Sequence, residues 1–154
     1  MTQDEVNKSF EKVLSENLGK PVETVDPTNR DQCFDWAVKI CLAYGIPISI
    51  FAGLLNASQI WTNPTSLSKQ HFDFIPNSPT FIPIKGDICV FAGIPGHVSV
   101  ATGKGNMNNF ESSDQNWNGK QYITLENHNY DNPELLGVLQ LKVTQSNMND
   151  NVVR

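Results

Sequence analysis

Long apolar runs, a surplus of basic charge and an even set of cysteines are all missing from this 154-residue chain, and each absence removes a class of function. The most apolar stretch, 46–55, is interrupted by Pro47, Ser49 and Gly53. It is about half of the roughly 20 residues a spanning helix needs, so membrane insertion is not expected. The N-terminus, MTQDEVNKSFEKVL, lacks a basic region followed by an apolar one, so no Sec-type signal is expected and the chain reads as made in the cytoplasm. With 11 Lys and Arg against 16 Asp and Glu, the formal net charge is −5, which argues against nucleic acid as a partner because such surfaces carry a basic stripe. The 3 cysteines cannot all pair with one another, so at least one thiol is free or paired outside the chain. No internal repeat is visible.

What is present suits one globular domain. At 39% hydrophobic and 18% charged, the chain has enough apolar material for a core. Thr2 and Glu5 have capping-box spacing, and Val6, Phe10, Val13, Leu14 and Leu18 recur at helical period, predicting a helix over 2–18 that Gly19 stops. A second helix is expected over 32–44, ended by Gly45 with Pro47 beyond, and a short third over about 52–60. In IPNSPTFIPIKG the prolines Pro76, Pro79 and Pro83 break regular structure, so strands are expected only from about 87 onward: 87–91, 97–102, 109–114, 122–125 and 137–143. Helices first and a strand meander later predict an α+β fold, with the N-terminal helices packed against an antiparallel sheet of about five to six strands. The expected domain covers 1–143, and 144–154 reads as a polar tail or linker.

Three positions are candidates for chemistry, although Cys33 taken alone would read as structural, as most cysteines do. Cys33 falls in the first turn of the second helix, where unpaired amides and the positive end of the helix dipole stabilise a thiolate and can hold an oxyanion. Cys41, between Ile40 and Leu42, and Cys89, between Ile88 and Val90, read as small buried hydrophobes. His97 opens a strand in which Ser99 and Ala101 share its face, an arrangement expected to leave open space before the imidazole, as a base facing a cleft requires. His71 and His128, the latter in an Asn-rich loop, have no such setting and default to surface or hydrogen-bonded structural roles. The segment Asp114-Gln115-Asn116-Trp117-Asn118-Gly119 ends the strand after that of His97, so antiparallel pairing would bring an acid or an amide beside the imidazole and fix its orientation. Read by itself, the same segment is equally a solvated turn over a packed Trp117.

Taken together, Gln32-Cys33 at a helix start, Gly86-Asp87 before an apolar strand, Gly96-His97-Val98 and the Asp114–Gly119 string resemble the CHAP domain. That family comprises cysteine, histidine-dependent amidohydrolases and peptidases of papain-like fold, and the likeness is nearest to the catalytic domains of endolysins from phages of Gram-positive bacteria. It covers roughly 26–141. The resemblance implies that Cys33 is the nucleophile and His97 the general base and then acid. Asp114 stands where glutamate is common, and either Asp114 or Asn116 orients His97. Gln32, with the Cys33 amide, would line the oxyanion hole, and Trp117 would contact substrate.

The implied activity is cleavage of an amide in peptidoglycan, the expected partner, by an endopeptidase or an N-acetylmuramoyl-L-alanine amidase. The protein would reach the host cell wall through a holin or as part of the virion, helped by a separate wall-binding domain or subunit. A reading from another class is a catalytically silent wall-binding or tail-structural module. No cofactor is required by this chemistry. Some phage members bind calcium in an acidic loop before the cysteine. Here Asp26, Asp31 and Asp35 are present, while Thr24 stands where another acid is expected and Pro27 at a flexible position. A calcium loop and a loop of solvated aspartates both remain open, and no metal is assigned.

Overall fold

The computed structural model describes residues 1–24 and 32–145. Asp26, Pro27 and Asp31, and the tail beyond 145, lie outside the described residues.

Helix α1 spans Gln3–Asn17 and begins with a reciprocal cap: Glu5 N donates to Thr2 Oγ1 at 3.2 Å, and Thr2 N donates to the Glu5 carboxylate at 2.9 Å. Its apolar stripe buries Val6 and Phe10. Helix α2, Cys33–Ala43, is apolar almost all round and buries Trp36, Ala37, Val38, Ile40 and Cys41, as a central core helix does. Its start is tied down by Asp35, whose carboxylate accepts from Gln32 N at 3.0 Å and from Thr24 N at 2.9 Å.

No helix forms over 52–60. A short 3-10 turn, Ile48–Phe51, comes first, and α3 covers only Gln59–Thr62, followed by α4 at Ser66–His71. Gly53 adopts φ +87, and the Gln59 side chain accepts from Leu55 N at 2.6 Å, so the intervening donors are used by a turn rather than by helix.

Six strands follow: β1 Phe72–Pro76, β2 Ile88–Phe91, β3 His97–Gly105, β4 Asn109–Asp114, β5 Thr124–Asn129 and β6 Leu135–Leu141. They form one sheet in the order β1-β6-β2-β3-β4-β5, with every neighbouring pair antiparallel. The architecture is therefore α+β, with helices packed on a six-stranded antiparallel sheet. β1 lies upstream of the expected start of the strands at about 87. Pro76 closes it without loss because it ends an edge strand, where a missing N–H costs little. β5 runs beyond the expected 122–125 because its asparagines occupy one face only, the subject of the next section.

The centre of the sheet is buried on both sides. Ile88, Val90, Val98, Val100 and Leu139 face the helices, while Cys89, Phe91, Ala101, Phe110, Leu135 and Val138 form a second cluster. Trp36 Nε1 donates to Ser113 Oγ at 2.9 Å, and Ser113 Oγ donates to Val100 O at 2.9 Å, fastening α2 to β3 and β4.

Gly137 in β6 has the Trp61 ring laid across it, and a Cβ there would overlap that ring and stand 2.5 Å from Ile75 O. Gly137→Ala is expected to cost about 1–3 kcal/mol, the usual cost of overpacking a rigid contact. Urea denaturation measures it, and an unchanged midpoint would mean that the ring moves aside freely.

Candidate active site

Three separate elements bring their ends together. Cys33 is the first residue of α2 and is partly exposed, whereas Cys41 and Cys89 are buried. His97 is the first residue of β3, and Gly96 before it has φ +76. A Cβ on Gly96 would lie 2.8 Å from Phe91 O and 2.9 Å from Ser58 Cβ, so the approach to His97 admits only glycine. Asp114 ends β4, which pairs with β3 through Val100↔Ser113. The result is a short chain of contacts. His97 Nε2 lies 2.6 Å from Asp114 Oδ2, and the Cys33 side chain acts on the same imidazole in the sense that favours its charged form. With Nε2 committed to Asp114, Nδ1 is the nitrogen left for the thiol.

A second imidazole completes the group. His128 Nε2 lies 2.8 Å from the same Asp114 Oδ2, and Ser112 Oγ donates to Oδ1 at 2.5 Å. Burial pushes the Asp114 carboxyl up, but hydrogen bonds from His128 and His97 and their charges outweigh it, and it lies below the ordinary carboxylate value. At His97 burial acts against the charged form, yet Asp114 and Cys33 prevail and raise the imidazole to about 9. Burial alone raises the Cys41 thiol, and burial is also the largest cause of the rise at Cys89, which keeps both protonated.

The sequence-predicted residues meet here with some changes of neighbour. The expected open space before His97 is absent: the residue is 6% exposed, with Trp117 at 4.8 Å and Phe91 at 5.7 Å between ring centres. Ser99 and Ala101 are small, but the neighbouring strands fill the room they leave. Asp114, not Asn116, hydrogen-bonds His97. Asn116, at φ +59, donates from Nδ2 to Gln32 Oε1 at 2.8 Å and so orients the amide beside Cys33. Asp35, considered for calcium, has its carboxylate on the amides of Gln32 and Thr24. His71 ends α4 next to β1, the far edge of the sheet from β5.

Two residues with large roles were not anticipated. Gln115 is fully buried; its Nε2 donates to Val22 O and Gln32 O, both at 2.8 Å, and its Oε1 accepts from Val22 N at 2.7 Å. It clamps the residue before Cys33 to the end of β4. His128 lies on β5, not in a loop. Alternation was the signal that could have found it: Thr124, Glu126 and His128 point inward while Leu125, Asn127 and Asn129 are exposed. His97, Asp114 and His128 set metal-ligand atoms within 4.8 Å of one another, a closeness that the hydrogen bonds of 2.6 and 2.8 Å account for. Beside Gln32 opens a groove of about 400 Å³ walled by Phe34, Val38, Ile48, Phe51 and Leu54.

No protein-family model and no curated protein matches the chain. Solved structures do. The crystal structure of the wild-type endolysin LysIME-EF1 superimposes with a TM-score of 0.68 at 20% identity, over 92% of this chain and 66% of that one. Ly7917 with the hydrolyzing product of MDP gives 0.60 at 15% identity over 88% of this chain and 62% of that one. A second crystal structure of Ly7917 gives 0.59 at 15% identity, over 92% and 63%. The likeness is one of fold, and the chain spans less than two thirds of the length of each of these structures.

The two shifts predict a pH signature. His97, raised from 6.5 to about 9, adds stability that is complete below pH 6.5 and lost as pH rises through about 9. Asp114, lowered from 3.8, adds stability present above that value and lost as pH falls through its lower folded value. The stability difference between wild type and Asp114→Asn should therefore be widest between 3.8 and 6.5 and narrow on both sides. Asp87, raised to about 7 by burial, is common to both proteins and drops out. Denaturant titrations across pH measure the difference, and a flat one would contradict these shifts.

Proposed function

We propose that the chain is the catalytic domain of a phage lysin of the CHAP type, a peptidoglycan hydrolase that cleaves an amide through a Cys33 thioester. The observation that carries this reading is the His97 imidazole hydrogen-bonded to Asp114 Oδ2 at 2.6 Å, with Cys33, the first residue of an 11-residue helix, raising its proton affinity. His97 takes the thiol proton on Nδ1, and its raised proton affinity holds an imidazolium beside the thiolate. The sulfur attacks the amide carbon, and the carbonyl electron pair moves to oxygen.

The Cys33 N–H and the Gln32 side-chain amide receive the oxyanion, with Asn116 holding Gln32 Oε1 so that Nε2 is the donating end. As the tetrahedral intermediate collapses, the C–N bond breaks and the leaving amine takes the proton from His97. A thioester remains. Water then gives a proton to His97 and attacks the thioester; the C–S bond breaks, releasing a carboxylic acid and the thiolate. The apolar groove beside Gln32 would receive substrate next to the scissile carbonyl, and Trp117 would border the other side.

Substrate class rests on fold neighbours. One of them is the endolysin LysIME-EF1, and another, Ly7917, was solved with the hydrolyzing product of MDP. The scissile bond is then the muramoyl–alanine amide or a peptide bond in the stem or cross-bridge. The domain occupies 1–143, with 144–154 as tail or linker, and acts on the host wall after release by a holin or from the virion. Among the described residues no helix is long and apolar enough to cross a membrane. A net charge of −5 draws no benefit from a wall rich in anionic polymers, so a wall-binding domain or subunit would hold it there.

Cys33→Ala is expected to slow turbidity loss of purified Gram-positive walls by at least about 10³-fold. Gln32→Ala should cost about 10²-fold, as loss of one oxyanion donor does. Mass spectrometry of the released fragments identifies the bond. Lysis that persists in Cys33→Ala would overturn the mechanism, and binding of wild type to heat-killed cells without lysis would point to a silent wall-binding module.

A further inference from the structure

We propose that His128 is a positioning residue of this site, acting on His97 only through the Asp114 carboxylate they share. The inference rests on the reading of Cys33 and His97 as the catalytic pair and extends it to a four-membered relay.

The geometry is specific. Two ring nitrogens, His97 Nε2 at 2.6 Å and His128 Nε2 at 2.8 Å, converge on one oxygen, Asp114 Oδ2. An ionised carboxylate only accepts hydrogen bonds, so both nitrogens must carry protons at once. For His97 this leaves Nδ1 as the nitrogen that exchanges a proton with Cys33. For His128 it fixes Nε2–H. The ring cannot turn away, because Phe91 lies 4.8 Å and Trp117 4.7 Å from it, with Phe110 at 5.7 Å.

The other titratable groups around it are accounted for. From β4 comes Asp114 itself, and from β3 His97, with Cys33 beyond it. From β2, Cys89 is held protonated, with burial as the main cause and the charges of Asp87 and Asp114 adding to it. On β5, Glu126 shares the inward face, but its carboxylate accepts from Thr124 Oγ1 at 2.5 Å and pairs with Lys120 at 3.6 Å. Past the strand, Tyr130 Oη donates to Asn106 O at 2.7 Å.

The consequence follows from burial. Asp114 has no exposed surface, so no water can replace a lost donor. With Ser112 on Oδ1 and two imidazoles on Oδ2, the carboxylate has no rotation left and stays ionised while His97 gains and loses its proton. Without His128 it would hold one donor fewer, bind a proton more readily and swing, and His97 would lose both its aim at Cys33 and the anion that stabilises its charged form.

The test uses the full chain. His128→Phe fills the aromatic cage without a donor, and His128→Gln supplies one. His128→Phe should lower kcat on purified walls and the rate of Cys33 alkylation by iodoacetamide by about ten- to a hundredfold, the range of one hydrogen bond to a charged group, with KM unchanged. His128→Gln should recover most of both. The Asp114→Asn/His128→Phe double variant should match Asp114→Asn alone, since the path runs through the carboxylate.

Losses that multiply in the double variant, or a Gln variant as impaired as Phe, would overturn the proposal. Should His128→Phe not fold, ¹⁵N-histidine spectra of wild type decide instead. They should show Nε2 of both His97 and His128 protonated from about pH 5 to 8, and an Nδ1–H tautomer at His128 would sink the idea. Lysis by Cys33→Ala would refute the underlying catalytic reading, whereas full activity of His128→Phe beside an inactive Cys33→Ala would refute this inference alone.

Discussion

The carboxylate of Asp114 has no exposed surface, yet it is ionised and accepts from Ser112, His97 and His128. Taking such a charge out of water costs several kcal/mol unless donors replace the solvent. Here the donors come from three strands, so the charge is tolerable only while β3, β4 and β5 hold their register. A slip of one residue would turn His97 or His128 to the opposite face and leave the carboxylate unpaired. Site and sheet are thus one construction. The groups that tune His97 are the groups that make β5 worth adding to the sheet.

The residues on either side of Asp114 carry the same logic to the helix. Ser113 receives the Trp36 indole, Gln115 clamps Val22 and Gln32, and Asn116 orients the Gln32 amide. Four consecutive positions therefore set the height, the approach and the flank of the α2 N-terminus relative to His97. Hydrogen bonds between buried groups lose more when broken than they contribute when made, which makes this seam rigid. That rigidity keeps Gln32 and the start of α2 in place against the end of β4.

Much of the fold was legible because local signals agreed with global packing. The Thr2–Glu5 cap, the apolar period of α1 and the nearly all-apolar α2 each specify an element without outside help. Elements whose meaning depends on partners were not. β1 ends in a proline that looks like a breaker until it is seen on an edge strand. The apolar stretch near 52–60 lost its helix to one glycine and one glutamine side chain. His128 was hidden by Asn127 and Asn129, which look like loop residues but form the outward face of β5.

Sequence by itself determined which residue types could do the chemistry: a cysteine at a helix start, a histidine opening a strand and an acid at the end of the next. It also specified the α+β order, since periodicity and turns are written locally along the chain. Only the tertiary structure decided which acid or amide meets the imidazole, that Asn116 serves Gln32 instead, and that a second histidine shares the carboxylate. Those choices depend on strand register and on which buried donors lie within about 3 Å of one oxygen. Spacing along a chain does not encode that distance; pairing between residues many positions apart does.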